Sequence, residues 1–318
     1  MTTDERLAAL EAKMDALTAP PSDYYTSRYS GEEIDAAIAA VPGKAETAQL
    51  CNRNLLDNWY FGNPVNQRGA TVYSDLAYTI DRWREWSHKQ RIELTGNGLN
   101  FAGGGNFAQK IAPELSSSLL GKTLTISKLT ADGALKMSVF TLPDSAPSVH
   151  TNYGYVDDST PYMRWFANAD GLTFYNVINT TQIIVAVKLE LGSQQTLAHQ
   201  DADGNWVLNE VPEYGEQLRR CQRYFVRINN VYASGVVANS NTSFVDFAMP
   251  VPLRTNPVLT VRDKGQLSSA GTLVVPSEIT LAAREENHIY LGVTTPATLT
   301  ANQPACLHDA CIDFSADL

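Results

Sequence analysis

Lys122-Thr-Leu-Thr-Ile-Ser-Lys-Leu129, followed by the turn pair Asp132-Gly133 and by Ala134 to Leu142, alternates polar and apolar residues with a period of two. That period marks a strand with one buried face, because successive side chains of extended backbone point to opposite sides. The reading extends outward. Thr71-Val-Tyr73 and Arg91-Ile-Glu-Leu-Thr95 alternate upstream, with Gly96-Asn-Gly98 as the following turn, and Leu172-Thr-Phe-Tyr-Asn176 alternates after Asp170-Gly171. Gln182-Ile-Ile-Val-Ala-Val-Lys-Leu-Glu-Leu191 begins as a continuous apolar run and ends alternating, as a central strand leaving a core does. Short strands without intervening amphipathic helices predict a mainly β chain, with a β-sandwich or jelly roll over residues 49–193.

Residues 194–222 read as a linker. Asp203-Gly204 is a hairpin turn ahead of Trp206-Val-Leu208, and Tyr214, Leu218, Cys221 and Phe225 recur at the spacing of one short helix. Alternation resumes in Ser243-Phe-Val-Asp-Phe247, Val258-Leu-Thr-Val261, Glu278-Ile-Thr-Leu281 and His288-Ile-Tyr-Leu291. A smaller C-terminal β-sandwich tip is expected over 223–318. Residues 1–48 differ in kind: Leu7, Leu10, Met14 and Leu17 fall on the a/d seam of a heptad, and Pro20-Pro21 detaches them from the downstream chain. A capping box at Ser30-Gly-Glu-Glu33 then opens a second helical pattern through Ile34, Ile38 and Val41. Residues 1–48 are therefore expected to form a helical coiled-coil stalk. Two heptads are too short to hold strands together alone, so downstream contacts must help.

The charge balance, 24 Lys+Arg against 34 Asp+Glu, argues against a nucleic-acid partner; the nearest approach to a basic patch, Arg219, Arg220 and Arg223, reads as the polar side of a helix. No apolar run approaches the roughly 18–20 residues of a membrane-spanning helix, so no membrane insertion is expected. The N-terminus lacks an apolar signal core, which points to synthesis in a cytoplasm, and Cys51, Cys221, Cys306 and Cys311 are expected to be reduced.

Catalytic patterns are near misses. Gly121-Lys122-Thr123 has Ser116 where a phosphate-binding loop requires its first glycine. Asp201-Ala-Asp203-Gly204-Asn205 has its glycine fourth rather than sixth for a calcium loop. Cys306, His308 and Cys311 are thiolate and imidazole candidates for a metal but lack a fourth ligand, unless copies of His308 met on a three-fold axis. No enzyme activity and no cofactor are expected. Aromatic residues are more informative, since apolar sugar faces stack on exposed rings. Tyr153 and Tyr155 stand in a Gly/Asn/Asp-rich stretch that reads as a loop, beside Asp157 and Asp158, and these four are the candidate glycan contacts.

Several stretches together resemble the tail-fibre-like and receptor-binding structural proteins of phages and prophages of gut Firmicutes and related bacteria. They are Asn54-Leu-Leu-Asp-Asn-Trp-Tyr-Phe-Gly-Asn-Pro-Val-Asn-Gln-Arg-Gly69, Tyr78-Thr-Ile-Asp-Arg-Trp83, Val187-Lys-Leu-Glu-Leu-Gly192, Tyr214-Gly-Glu-Gln-Leu-Arg-Arg-Cys-Gln-Arg-Tyr-Phe225 and Asp313-Phe-Ser-Ala-Asp-Leu318. The resemblance implies a homotrimer in the virion. Residues 1–48 would attach it to other virion proteins, and a jelly roll similar to carbohydrate-binding modules would touch bacterial cell-surface glycan. Fibre-like chains of this kind occur on tail, baseplate and capsid, and the alternative is a passive decoration or head fibre without specific glycan binding.

Overall fold

The computed structural model describes residues 2–18, 52–73, 78–85, 91–102, 105–157, 159–167, 171–178 and 181–317. They fall in two compact units, Met1–Gln49 and Leu50–Leu318. In the first, helix α1 (Thr3–Thr18) starts at a capping box: Glu5 N donates to the Thr2 hydroxyl at 3.3 Å, and Thr2 N donates to Glu5 Oε2 at 2.6 Å. Leu7 and Leu10 are each 59% exposed. The helix expected after Ser30 lies outside the described residues, as do the side chains of Met14 and Leu17. No described helix is long and apolar enough to cross a membrane.

The second unit is mainly β and its strands pair antiparallel. One six-stranded sheet has the order β1 (Val72–Tyr73), β3 (Arg91–Thr95), β4 (Gly98–Ala102), β11 (Gln182–Leu191), β6 (Thr123–Thr130), β7 (Leu135–Thr141). A five-stranded sheet has the order β2 (Arg84–Glu85), β5 (Gly105–Lys110), β10 (Gly171–Ile178), β9 (Tyr162–Phe166), β8 (Thr151–Tyr153). Leu124, Ile126 and Leu189 of the first share one core with Phe107, Met163, Trp165 and Phe174 of the second, which makes a two-layer sandwich. At its centre the Trp83 ring lies parallel to Phe107 with centroids 4.6 Å apart, and Phe61 and Phe174 meet it edge-on at 5.3 and 5.4 Å. Removing so enclosed an aromatic ring costs about 3–5 kcal/mol.

A lysine enters this interior. Lys128 points inward and donates to Asn176 Oδ1 and Gln182 Oε1, both at 3.0 Å; burial lowers its pKa to about 8. The uncharged amine is thus favoured by desolvation, while the amide oxygens satisfy its N–H groups.

Residues 55–61 take the edge of β11 where β4 ends. Leu55 N donates to Leu189 O at 2.8 Å, Val187 N to Trp59 O at 3.1 Å and Phe61 N to Val185 O at 2.8 Å. Their register is set by asparagines. Asn54 Oδ1 accepts from Leu56 N and Leu189 N, and Asn58, at φ 53°, holds Val65 from both sides and donates to Asp81 O. Asn is among the few residues that accept a left-handed backbone at small cost, and its amide replaces a missing strand partner.

Residues 194–222 contain a hairpin, β12 (Ala198–Gln200) and β13 (Trp206–Leu208) around the Asp203-Gly204 turn, and helix α3 (Tyr214–Gln222); a single turn and a half, α2 (Pro113–Ser118), precedes β6. Thr196 and Glu210 beside this hairpin meet the fully buried pair Lys188 and Glu190 of β11, with Lys188 Nζ 3.0 Å from Thr196 Oγ1 and 3.5 Å from Glu210. Phe225, expected to close the helix, is instead the first residue of strand β14 (Phe225–Val237).

The strands expected to form a C-terminal sandwich are hydrogen-bonded into one eight-stranded sheet. Its order is β18 (Thr272–Val274), β17 (Gln266–Ser269), β21 (Pro304–Ser315), β14, β15 (Thr242–Ala248), β20 (His288–Thr294), β19 (Glu278–Glu285), with β16 (Val258–Asp263) also on β21. β16 and β19 approach each other as the sheet curls around Val231, Leu291, Leu307, Ile312 and Phe314. β16 and β17 run successively along β21, and Gly265 lies between them at φ 56°, where a Cβ would sit 2.2 Å from the His308 carbonyl oxygen. Only glycine fits there.

The sandwich and the curled sheet meet at Arg68. Its guanidinium stacks 3.7 Å from the Phe225 ring centroid and pairs with Asp81 at 3.2 Å and Asp317 at 2.5 Å. Gln67 Nε2 donates to Asp81 Oδ2 at 2.6 Å and to Phe225 O at 2.8 Å, and Arg227 Nη1 donates to Arg68 O at 2.6 Å. Burial nevertheless outweighs these partners at Asp81 and pushes its pKa up to about 6. The folded chain then holds the Asp81 proton more tightly than the unfolded one, whose carboxyl titrates near 3.8. This group's contribution to stability is therefore largest below pH 4, declines as pH rises and levels off above pH 6. Urea melts of wild type and Asp81→Asn over pH 4–7 should show the wild type losing stability relative to the variant, by up to about 3 kcal/mol, over that window. A pH-independent difference would place the carboxyl in the ordinary range.

Candidate functional site

The five-stranded sheet turns one face to the core and carries aromatic and cationic side chains on the other. In β9 the inward residues are Met163 and Trp165 and the outward ones Tyr162, Arg164 and Phe166; in β10, Leu172 and Phe174 point in and Thr173 and Tyr175 out. Register places Tyr162 opposite Tyr175, and Arg164 opposite both Asn152 and Thr173. The two tyrosine rings stack at 5.6 Å and 13°. The Arg164 guanidinium lies 5.3 Å from the Tyr175 ring centroid, and its Nε donates to Asn152 Oδ1 at 2.7 Å. Tyr155 stands edge-on to Tyr162, with centroids 5.4 Å apart at 85°, and is 50% exposed. His150 meets Phe166 in the same manner at 5.1 Å.

This sorts the four candidate glycan contacts. Tyr155 projects into solvent from a rigid aromatic base. Tyr153 pairs in register with Met163, so its side chain belongs to the inward face, where it packs on Phe140 at 6.3 Å and 26°. Asp157 is exposed and held in a local turn: its Oδ1 accepts from Ser159 Oγ at 2.6 Å, Ser159 N at 2.7 Å and Thr160 Oγ1 at 3.0 Å, which draws its pKa down to about 2. The Ser159 hydroxyl is the largest contributor. Asp158 lies outside the described residues. Tyr162, Arg164 and Tyr175 complete the face, brought together by the register of β9 and β10.

The remaining candidates do not converge. Cys306 pairs opposite Ser234, His308 Nδ1 lies 2.8 Å from Asp309, and Cys311, beyond a left-handed turn of backbone at Asp309, donates to Asn229 Oδ1 at 3.1 Å. No group of three His, Cys, Asp or Glu able to hold a metal occurs among the described residues. Asp201 accepts from Asp203 N and Asn205 N, both at 2.9 Å, as a hairpin turn. Glu213 caps α3 through Gly215 N at 2.8 Å and Glu216 N at 2.6 Å.

Compared with known proteins, the chain matches no family model, no curated protein and no solved structure.

The thiols differ in environment. Cys221 is fully buried, and burial raises its pKa well above the usual range, whereas Cys306 and Cys311 are partly exposed. Iodoacetamide on the native protein should label Cys306 and Cys311 and spare Cys221 until denaturant is added, as read by peptide mass mapping. Native labelling of Cys221 at a comparable rate would contradict its placement.

Proposed function

We propose that the chain is a non-enzymatic phage fibre protein that binds host cell-surface glycan as a homotrimer in the virion. The observation that carries the binding part is the outer face of the five-stranded sheet. There a half-exposed tyrosine rests on a stacked tyrosine pair, with an arginine and an asparagine fixed beside it. A sugar ring needs a flat apolar surface for its C–H face and rigid polar groups for its hydroxyls, and Tyr155, Arg164 and Asn152 supply both.

On this reading residues 49–193 form a jelly roll of the carbohydrate-binding kind. The pairing of β4 with β11 and of β5 with β10 in opposite layers supports it. Residues 1–48 are the coiled-coil stalk that contacts other virion proteins, and Leu7 and Leu10, exposed on α1, are its seam. The virion assignment itself rests on the sequence resemblance. Three linked sites would make weak single-site affinity sufficient.

Tyr155→Ala should weaken binding of the purified protein to extracted host wall glycan about five- to tenfold, the equivalent of roughly 1 kcal/mol of stacking, with an unchanged melting temperature. Unaltered binding would favour a passive decoration instead. Light scattering tests the assembly separately: wild type should give three times 34.8 kDa. Leu7→Asp with Leu10→Asp should lower that mass, and a monomeric wild type would remove the trimer.

A further inference from the structure

The chain carries a formal net charge of −10, yet one cavity reverses the sign. It measures about 510 Å³ and gathers Arg53, Arg82, Arg220, Arg223 and Arg254 against two carboxylates, Asp57 and Glu114. A second cavity of about 500 Å³ shares Arg220, Arg223 and Arg254 with it and adds Arg219 and Glu216, so the two form one groove beside α3. The fold assembles this cluster from distant segments: the lane before the sandwich, the turn before β2, the end of α3 and the loop between β15 and β16.

Of the carboxylates in the groove, Asp57 is already engaged. Asp57 accepts Arg220 Nε at 2.7 Å on one oxygen and Arg82 Nε at 3.1 Å on the other. Arg53, Arg223 and Arg254 make no ion pair among the described residues. Arg82, 2% exposed, lies 3.5 Å from the Tyr224 ring centroid and gives Nη2 to Lys110 O at 2.8 Å. Its Nη1 is buried without an acceptor among the described residues, and so is Nε of Arg254. Buried guanidinium N–H groups without acceptors are costly, and arginines without ion pairs along the same groove repel one another. An anion in the groove answers both.

We propose that this groove binds a ligand carrying two or more oxyanion groups, phosphate or carboxylate. Arginine is suited to this because its planar fork matches either group with paired hydrogen bonds. The groove has guanidinium groups at both ends, Arg53 and Arg82 in one cavity and Arg219 in the other, with Arg220, Arg223 and Arg254 between. A single small anion would leave one end unanswered. None of these residues belongs to the tyrosine face, so the groove is a separate site and stands whether or not that face binds glycan.

The test is calorimetric titration of the full chain at low salt with inorganic pyrophosphate and with citrate, using lactose as the neutral control. Saturable binding of either anion and none of lactose is expected; the tighter of the two identifies phosphate or carboxylate as the natural group. Arg223→Gln with Arg254→Gln should weaken that binding at least tenfold, while Tyr155→Ala leaves it unchanged. If the glutamine pair lowers the melting temperature, Arg223→Lys with Arg254→Lys replaces it; this pair keeps the charge but loses the fork, and should weaken binding severalfold. No saturable binding of either anion at millimolar concentration, or wild-type affinity in the folded double variant, would overturn the proposal.

Discussion

The second unit depends on what one guanidinium does at its middle. Arg68 lies against the Phe225 ring while pairing with Asp81 from the sandwich and Asp317 from beyond the last strand of the curled sheet. Each contact alone is modest. Together they fix the direction in which β14 leaves helix α3, because Phe225 is both the stacking surface and the first residue of that strand. Arg227 repeats the arrangement two residues on, joining Asp313 of β21 at 2.6 Å to the Arg68 carbonyl. A planar cation suits the task, since its faces can stack while its edge donates to carboxylates. A lysine could keep the charge but not this geometry.

The stretches that carry the family resemblance gather around this joint and around the asparagine-held lane beside β11. Asn54, Asn58, Gln67, Arg68, Asp81, Phe225, Asp313 and Asp317 all have structural employment there. Those stretches thus serve chiefly to fasten two β assemblies to each other. The tyrosine face lies elsewhere, on residues outside those stretches, whereas the groove draws Arg82, Arg219, Arg220 and Arg223 from them and Arg53 and Arg254 from outside.

The same division explains what could be read from the sequence. Strands with one wet and one dry face, such as β3, β7, β15 and β20, showed their alternation directly; β6 alternates polar and apolar residues as well, but it is buried on both faces, against the single buried face its period suggests. β14 and β21 did not, although they are the longest strands among the described residues. In β21 the buried apolar residues are Ala305 and Leu307, then Ala310, Ile312 and Phe314; the backbone irregularity at Asp309 shifts the phase by one and erases the period. Asn229 and Asn230 do the same to β14, whose register with β21 shifts there. β9, Tyr-Met-Arg-Trp-Phe, is apolar on both sides and so has no alternation to show. Tyr155 was legible as a loop aromatic, but its base of Tyr162 and Tyr175 needed the cross-strand register. Arg219, Arg220 and Arg223 were visible as a basic cluster on a helix; Arg53, Arg82 and Arg254 reach the groove only through the fold.

The position of β21 bears on how the chain is made. Of all the strands in its sheet it is translated last, yet it lies at the centre, paired with β14, β16 and β17. Its pairing of Phe225 with Ser315 closes a loop of some ninety residues. Until that segment leaves the ribosome, β14 on one side and β16 and β17 on the other have no partner at their inner edges, and the emerging half-sheet is open to a neighbouring nascent chain. The sandwich upstream has all its strands by residue 191 and can form while translation continues. The curled sheet therefore closes only once β21 has emerged, while the sandwich upstream is already complete.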